Sequence, residues 1–175
     1  MRYLIVSDIH GDAESTKFIC DKFTNGQFDK MLLLGDVLYH GPRNDLPKGY
    51  APKECIKLLN AISDKIIWIR GNCDAYVDEM VLNFKVSDYL DLDLNGIISH
   101  LEHGHFLDKY NGTPDLVLYG HTHIPECDLH GKTLYCNPGS ISIPKNNTKK
   151  SYAILEDKHI QILDMEDNII SDFVF

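Results

Sequence analysis

Five short polar clusters in this chain carry side chains that can bind metal ions. Asp8-x-His10 follows the apolar run Leu4-Ile5-Val6, and Gly35-Asp36 follows Met31–Leu34. Gly71-Asn72-Cys73-Asp74 comes just after Ile66–Ile69. His103-Gly104-His105 and Gly120-His121-Thr122-His123 complete the set. Two divalent cations held close together repel each other, and a carboxylate such as Asp36 can bridge them. Imidazoles and an amide oxygen then fill each shell without adding charge. Such a pair acidifies a shared water, turning it into a hydroxide nucleophile, and clamps phosphoryl oxygens for in-line attack.

Each cluster alone has a plainer reading. Asp8-x-His10 can be a loop with a helix cap, Gly35-Asp36 a turn, and Asn72 a turn residue. A lone His103 is more often a satisfied polar side chain than a ligand. His121 and His123 are stronger candidates, because imidazoles two residues apart on an extended backbone face the same side. The five clusters point to one shared site because sites in open α/β sheets lie at the carboxyl ends of strands.

The elements that position these clusters follow from periodicity. Arg2–Ser7, Lys30–Leu34 and Lys65–Ile69 read as buried strands. Asp12 can cap a helix containing Phe18, Ile19 and Phe23, which Gly26 stops. Pro52 suits a helix start, and Cys55, Ile56, Leu58, Leu59 and Ile62 give the i, i+3, i+4, i+7 pattern. The second half is strand-rich: Tyr89–Leu94, Ile97–His100, Asp115–Tyr119, Thr133–Cys136, Tyr152–Leu155, Ile160–Leu163 and Ile169–Val174. Asn95-Gly96 signals a hairpin. The βαβαβ opening and strand meander predict an α/β chain with two sheets and flanking helices.

Bulk properties narrow the classes. At 175 residues with 43% hydrophobic content, the chain suits one domain, 1–175. A net charge of −9 argues against broad nucleic-acid binding. Bound metals would reverse that field locally and admit a small anionic substrate. Cys20, Cys55, Cys73, Cys127 and Cys136 are odd in number and form no C-x-x-C motif. Reduced thiols and a cytoplasmic location are therefore expected. Neither a targeting segment nor a membrane span is expected, the opening apolar run being too short.

In this order the clusters resemble the motif series of the calcineurin-like metallophosphoesterases, across essentially the whole chain. Leu34-Gly35-Asp36-Val37-Leu38-Tyr39-His40-Gly41-Pro42-Arg43-Asn44, Gly71–Asp74 and Asn137-Pro138-Gly139-Ser140-Ile141-Ser142-Ile143-Pro144 narrow this to the YfcE-type phosphodiesterase branch. The resemblance implies a four-layer αββα sandwich: two packed mixed β-sheets flanked by helices. It implies that Asp8, His10 and His123 bind one metal, that Asn72, His103 and His121 bind the other, and that Asp36 bridges. Mn²⁺ is the implied ion, with Fe²⁺, Ni²⁺ or Zn²⁺ also suited to an oxygen and imidazole set. Small phosphodiesters are the implied substrates, and self-association is a common property of the relatives.

Arg43 and Asn44 can touch a phosphate or leaving group, or simply form a turn. His105 can orient substrate or tune His103. Cys73 occupies a position that is His, thought to be the leaving-group acid, in much of the superfamily. A thiol is a poorer acid near neutral pH. Asn137–Ser140 is expected to be a tight turn under the site. The chain between His105 and Gly120 is shorter than in the relatives, which leaves substrate identity open. A scaffold function is the alternative reading, since the retromer subunit of the superfamily resembles these enzymes but has an altered ligand set. A metal-storage or sensor protein is the third.

Overall fold

The computed structural model describes residues 1–175. Its larger sheet has seven strands and its smaller sheet five. Strands β1 (Arg2–Val6), β2 (Lys30–Leu33), β3 (Ile66–Ile69) and β4 (Val86–Ser87) run parallel in the larger sheet. Helix α1 (Ala13–Asn25) connects β1 to β2, and α2 (Pro52–Asn60) precedes β3. The smaller sheet contains β5 (Tyr89–Leu94), β6 (Ile97–Glu102), β7 (Leu116–Leu118), β8 (Pro125–His130) and β9 (Thr133–Pro138). Its order is β5-β6-β7-β9-β8, with parallel pairs at its centre and antiparallel pairs at its edges. The chain then returns to the first sheet as β10 (Ser151–Glu156), β11 (His159–Asp164) and β12 (Ile169–Val174), antiparallel beside β1.

Both faces of β1 are buried, as its unbroken apolar run requires. Leu4 and Val6 face the helices, packing in a cluster with Ile19, Phe23, Leu59 and Trp68. Tyr3 and Ile5 face the second sheet and meet Leu101, Leu116, Leu118 and Leu134. The two packed mixed sheets match the fold predicted from the sequence. Both α-helices, however, lie on one side. The far layer is thin: a 3₁₀ turn at Leu107–Lys109 brings the Tyr110 ring onto His100 of β6, with centroids 3.8 Å apart. The short His105–Gly120 connection leaves no room for a longer helix.

Most elements fall within two residues of their predicted places. Asn95 and Gly96 form the two-residue hairpin, with φ of 60° and 80°, between the paired Leu94 and Ile97. Two strands were not predicted. β8 is an edge strand whose residues are mostly exposed, so it lacks an apolar period, and β4 has only two residues. Helix α2 stops at Asn60, before Ile62. Asp12 occupies the N-cap position of α1, but its carboxylate makes no capping bond to backbone. It accepts the Ser15 hydroxyl at 2.5 Å instead. No helix is long and apolar enough to cross a membrane.

Candidate metal centre

The five clusters converge at one end of the paired sheets. Asp8 and His10 leave β1, Asp36 leaves β2 and Asn72 leaves β3. His103 follows β6, and His121 and His123 follow β7. Backbone bonds stitch these loops together: Asp8 N–H donates to Gly35 O at 3.1 Å, His10 N–H to Asp36 O at 2.8 Å, and Gly120 N–H to His103 O at 2.8 Å.

The loop conformations are unusual. Asp8, His10, Asp36, His121 and His123 all have positive φ, between 50° and 68°. Such conformations cost about 1–3 kcal/mol each for a non-glycine residue and persist where surrounding structure holds them. The predicted extended backbone at His121 and His123 is therefore incorrect. The two rings do not act on one side. His121 faces His103, with centroids 5.2 Å apart, and His123 faces His10 at 4.9 Å. The left-handed turn sends neighbouring imidazoles to different halves of the cluster.

Ring tautomers follow from the partners. Nδ1–H of His10 donates to Tyr39 O at 2.8 Å, and that of His123 to Ile143 O at 2.8 Å. His103 Nδ1–H donates to Leu34 O at 2.6 Å. A carbonyl has no proton to give, so Nδ1 carries the hydrogen in each ring. The Nε2 atoms are thereby turned inward. His10 and His123 bring their Nε2 atoms within 3.2 Å. Two lone pairs that close repel, so a positive charge must sit between them, as a proton or a metal ion.

The carboxylates converge on the same space. Asp8 Oδ1 is 3.2 Å from His123 Nε2 and 3.5 Å from His10 Nε2. This buried oxygen has no hydrogen-bond partner of its own. Asp36 Oδ2 lies between the halves, 3.7 Å from His10 Nε2 and 3.4 Å from His103 Nε2. Asn72 Oδ1 is 3.2 Å from His103 Nε2. The donor atoms of Asp8, His10 and His123 all lie within 4.8 Å of one another, as do those of Asp8, Asp36 and His103. The orphaned carboxylate oxygen and the inward nitrogens fit divalent cations.

Charge coupling is strong. Burial opposes ionisation of Asp8, yet His10 and His123 hold its carboxyl well below the usual range. Burial alone would lower His103, but the hydrogen bond and charge of Asp36, with Asp8, raise it to about 9. His121 is lowered by burial and then by the charge of His103. Burial pushes the Cys73 thiol up to about 12, with Asp36 adding to the effect.

The remaining predicted residues divide. Arg43, Asn44 and Cys73 line the same small pocket as Asp36, Asn72, His121 and His123. His105 does not line it. Its ring packs on Phe106 at 4.1 Å and on His103 at 5.5 Å.

Asp74 and Ser142 support the site without a part predicted for either, and Asn137 and Ser140 belong to the turn expected beneath it. Asp74 accepts the N–H groups of Asp36, Val37 and Gly71 at 2.7–2.9 Å. Ser140 and Ser142 hydroxyls donate to Asp8 O at 2.8 and 2.9 Å. Asn137 Nδ2 donates to Gly120 O at 2.8 Å, giving the predicted turn its structural use. Their signal was the packing of small polar residues into motif segments. Gly71 matters for closeness: a Cβ there would lie 2.1 Å from Asp36 Oδ1.

Comparison with known proteins agrees with this geometry. Residues 1–159 match the calcineurin-like phosphoesterase superfamily domain. Phosphodiesterase YfcE of Escherichia coli strain K12 is 37% identical over 175 residues, covering 97% of this chain and 95% of that protein. A solved structure of that E. coli phosphoesterase superposes with a TM-score of 0.94 at 36% identity, covering 99% of each chain. Vacuolar Protein Sorting 29 from Cryptosporidium parvum shares the fold, with a TM-score of 0.69 at 16% identity, covering 99% of this chain and 98% of that one. The chain belongs to the calcineurin-like phosphoesterase superfamily.

Proposed function

We propose that this protein is a cytoplasmic phosphodiesterase that hydrolyses small phosphodiesters at a two-metal centre. Asp8, His10 and His123 would hold one cation and Asn72, His103 and His121 the other, with Asp36 placed to serve both. The single observation carrying this reading is the pair of inward Nε2 atoms on His10 and His123, 3.2 Å apart beside an unpartnered carboxylate oxygen. The 37% identity to a named phosphodiesterase supports the reaction class. The oxygen and imidazole donors suit Mn²⁺, with Fe²⁺, Ni²⁺ or Zn²⁺ as competitors.

When bound, the cations supply an acidified water as nucleophile and neutralise the phosphoryl oxygens. The chain's own residues do the rest. Asp8 and Asp36 keep their negative charge, supplying the field that draws cations in. The Nδ1–H bonds to Tyr39, Leu34 and Ile143 carbonyls fix each ring so that Nε2 stays aimed inward. Arg43 and Asn44 stand on the pocket rim and bind the phosphoryl or leaving oxygens. Cys73 lies beside Asp36, its N–H donating to Asp36 Oδ1 at 2.7 Å. Its thiol remains protonated at neutral pH but is a weak acid, so good leaving groups are favoured. His105 packs against His103 and steadies its ring.

Metal counting tests the centre directly. Purified protein loaded with Mn²⁺ and desalted should retain two equivalents per chain, falling to one in His123→Ala. One or no equivalent in folded parent protein would overturn the two-metal assignment.

A further inference from the structure

The small pocket over Asp36, Asn72, His121 and His123 borders a larger cleft of about 520 Å³. That volume is in the range of small-molecule sites. Three residues line both cavities: Arg43, Asn44 and Lys145. A ligand that spans the metal centre and the cleft meets these three residues at the boundary of the two cavities.

This shared boundary carries two cations and no carboxylate. Neither Lys145 nor Arg43 makes an ion pair or a side-chain hydrogen bond, whereas Lys150 in the same cleft is paired with Asp12 at 3.2 Å. The acidic residues Glu14 and Asp45 lie in the larger cleft but not in the small pocket. In a chain of net charge −9, two unpaired cations at the mouth of an anion-processing site select for charge.

Both cations stand on fixed backbone. Lys145 N–H donates to His123 O at 3.3 Å. Lys145 O receives Thr148 N–H at 3.1 Å and the Thr148 hydroxyl at 2.7 Å, across a turn with Asn146 and Asn147 at φ 53° and 57°. Beside Arg43, Asn44 Nδ2 donates to His40 O at 2.7 Å.

We propose that Lys145 and Arg43 wall a leaving-group subsite, and that the favoured substrates are phosphodiesters whose leaving group carries a second phosphate-type anion. This inference rests on the phosphodiesterase reading. In the reaction, water oxygen bonds to the scissile phosphorus and the bond from phosphorus to the leaving oxygen breaks. One water proton ends on the leaving oxygen and the other stays on the phosphomonoester or passes to solvent, so the products are a phosphomonoester and a phosphate-bearing alcohol. The second phosphate is not cleaved. It sits between the Lys145 ammonium, acting as a point charge, and the Arg43 fork.

The test uses two aryl methyl phosphodiesters with matched leaving phenols. One phenol carries a methylphosphonate and the other its neutral dimethyl ester. With Mn²⁺-loaded protein, the ratio of kcat/KM for the anionic over the neutral diester should fall about tenfold in Lys145→Ala. It should fall further in Lys145→Glu and be largely kept in Lys145→Arg. A ratio that is unmoved in both Lys145→Ala and Lys145→Glu overturns the proposal. A second arm titrates the phosphonate-bearing phenol into metal-stripped protein. Weaker binding by Lys145→Glu than by parent, with the neutral phenol binding both alike, supports the subsite; equal binding overturns it. If neither diester is turned over, the hydrolase reading fails while the binding arm still decides the subsite.

Discussion

The backbone N–H of Asp36 donates to the Asp74 carboxylate at 2.9 Å, while the N–H of Cys73, beside Asp74, donates back to Asp36 Oδ1 at 2.7 Å. This exchange locks the loop after β2 to the loop after β3. It aims the remaining Asp36 oxygen between the two histidine groups. Asp74 itself reaches no ligand position, so its effect is transmitted through Asp36. Asp74→Asn should lower Mn²⁺ affinity by about 10- to 100-fold, since the amide NH2 replaces one of the two accepting oxygens and sets a donor against a backbone N–H. Calorimetric titration of folded variant and parent measures this. Equal affinities would show that the exchange is dispensable.

Metal loading should release protons near neutrality. In the metal-free protein His103 is raised to about 9, so at pH 7 its ring is an imidazolium. A cation needs the Nε2 lone pair and must displace that proton. Affinity should therefore rise with pH up to about 9 and then flatten. Calorimetry at pH 7 in buffers of different ionisation enthalpy reads the proton count. Metal binding with no proton release would contradict the assignment of His103 as a ligand.

Cys73 sets a limit on leaving groups. Its thiol, pushed up to about 12 by burial and Asp36, is poorly matched to proton donation at neutral pH. Cys73→His introduces an imidazole at the pocket rim. The gain in kcat/KM should be at least tenfold for an alkyl leaving group and near unity for 4-nitrophenol. Equal effects on both would refute a leaving-group role for this position.

One prediction concerns acid stability away from the site. Asp164 accepts N–H groups of Glu166 and Asn168 at 2.9 Å and the Lys149 ammonium at 2.5 Å. The Lys149 bond, then those from Asn168 and Glu166, hold its carboxyl well below the usual range. A folded pKa depressed below the unfolded value contributes stability that is present above about pH 4. That stability is lost as pH falls through the folded pKa. Asp164→Asn should thus lower the urea midpoint at pH 7, and the gap to parent should narrow below pH 4. A gap that widens in acid would reverse the sign of this argument.

Much of the site was legible because ligand clusters sit at strand ends, and apolar runs such as Leu4–Val6 mark those ends. The residue types at Asp8, Asp36 and His103 predict a shared site, and the fold brings their donor atoms within 4.8 Å of one another. Conformation within the loops was not legible. His121 and His123 look like an extended pair, yet tertiary bonds hold both at positive φ and split their rings between two halves. β8 escaped notice because an exposed edge strand needs no apolar alternation. A lone lysine beside a proline carries no local signal; only the fold sets Lys145 on the same two cavities as Arg43.

The most direct test of the central claim is hydrolysis of bis(4-nitrophenyl) phosphate by metal-stripped protein as Mn²⁺ is restored. Asn72→Ala and His121→Ala run beside the parent. Saturable turnover that requires metal and falls by at least a hundredfold in both variants is the predicted result. Folded parent protein that binds metal yet turns over no diester with Mn²⁺, Fe²⁺, Ni²⁺ or Zn²⁺ would contradict the account and favour a scaffold.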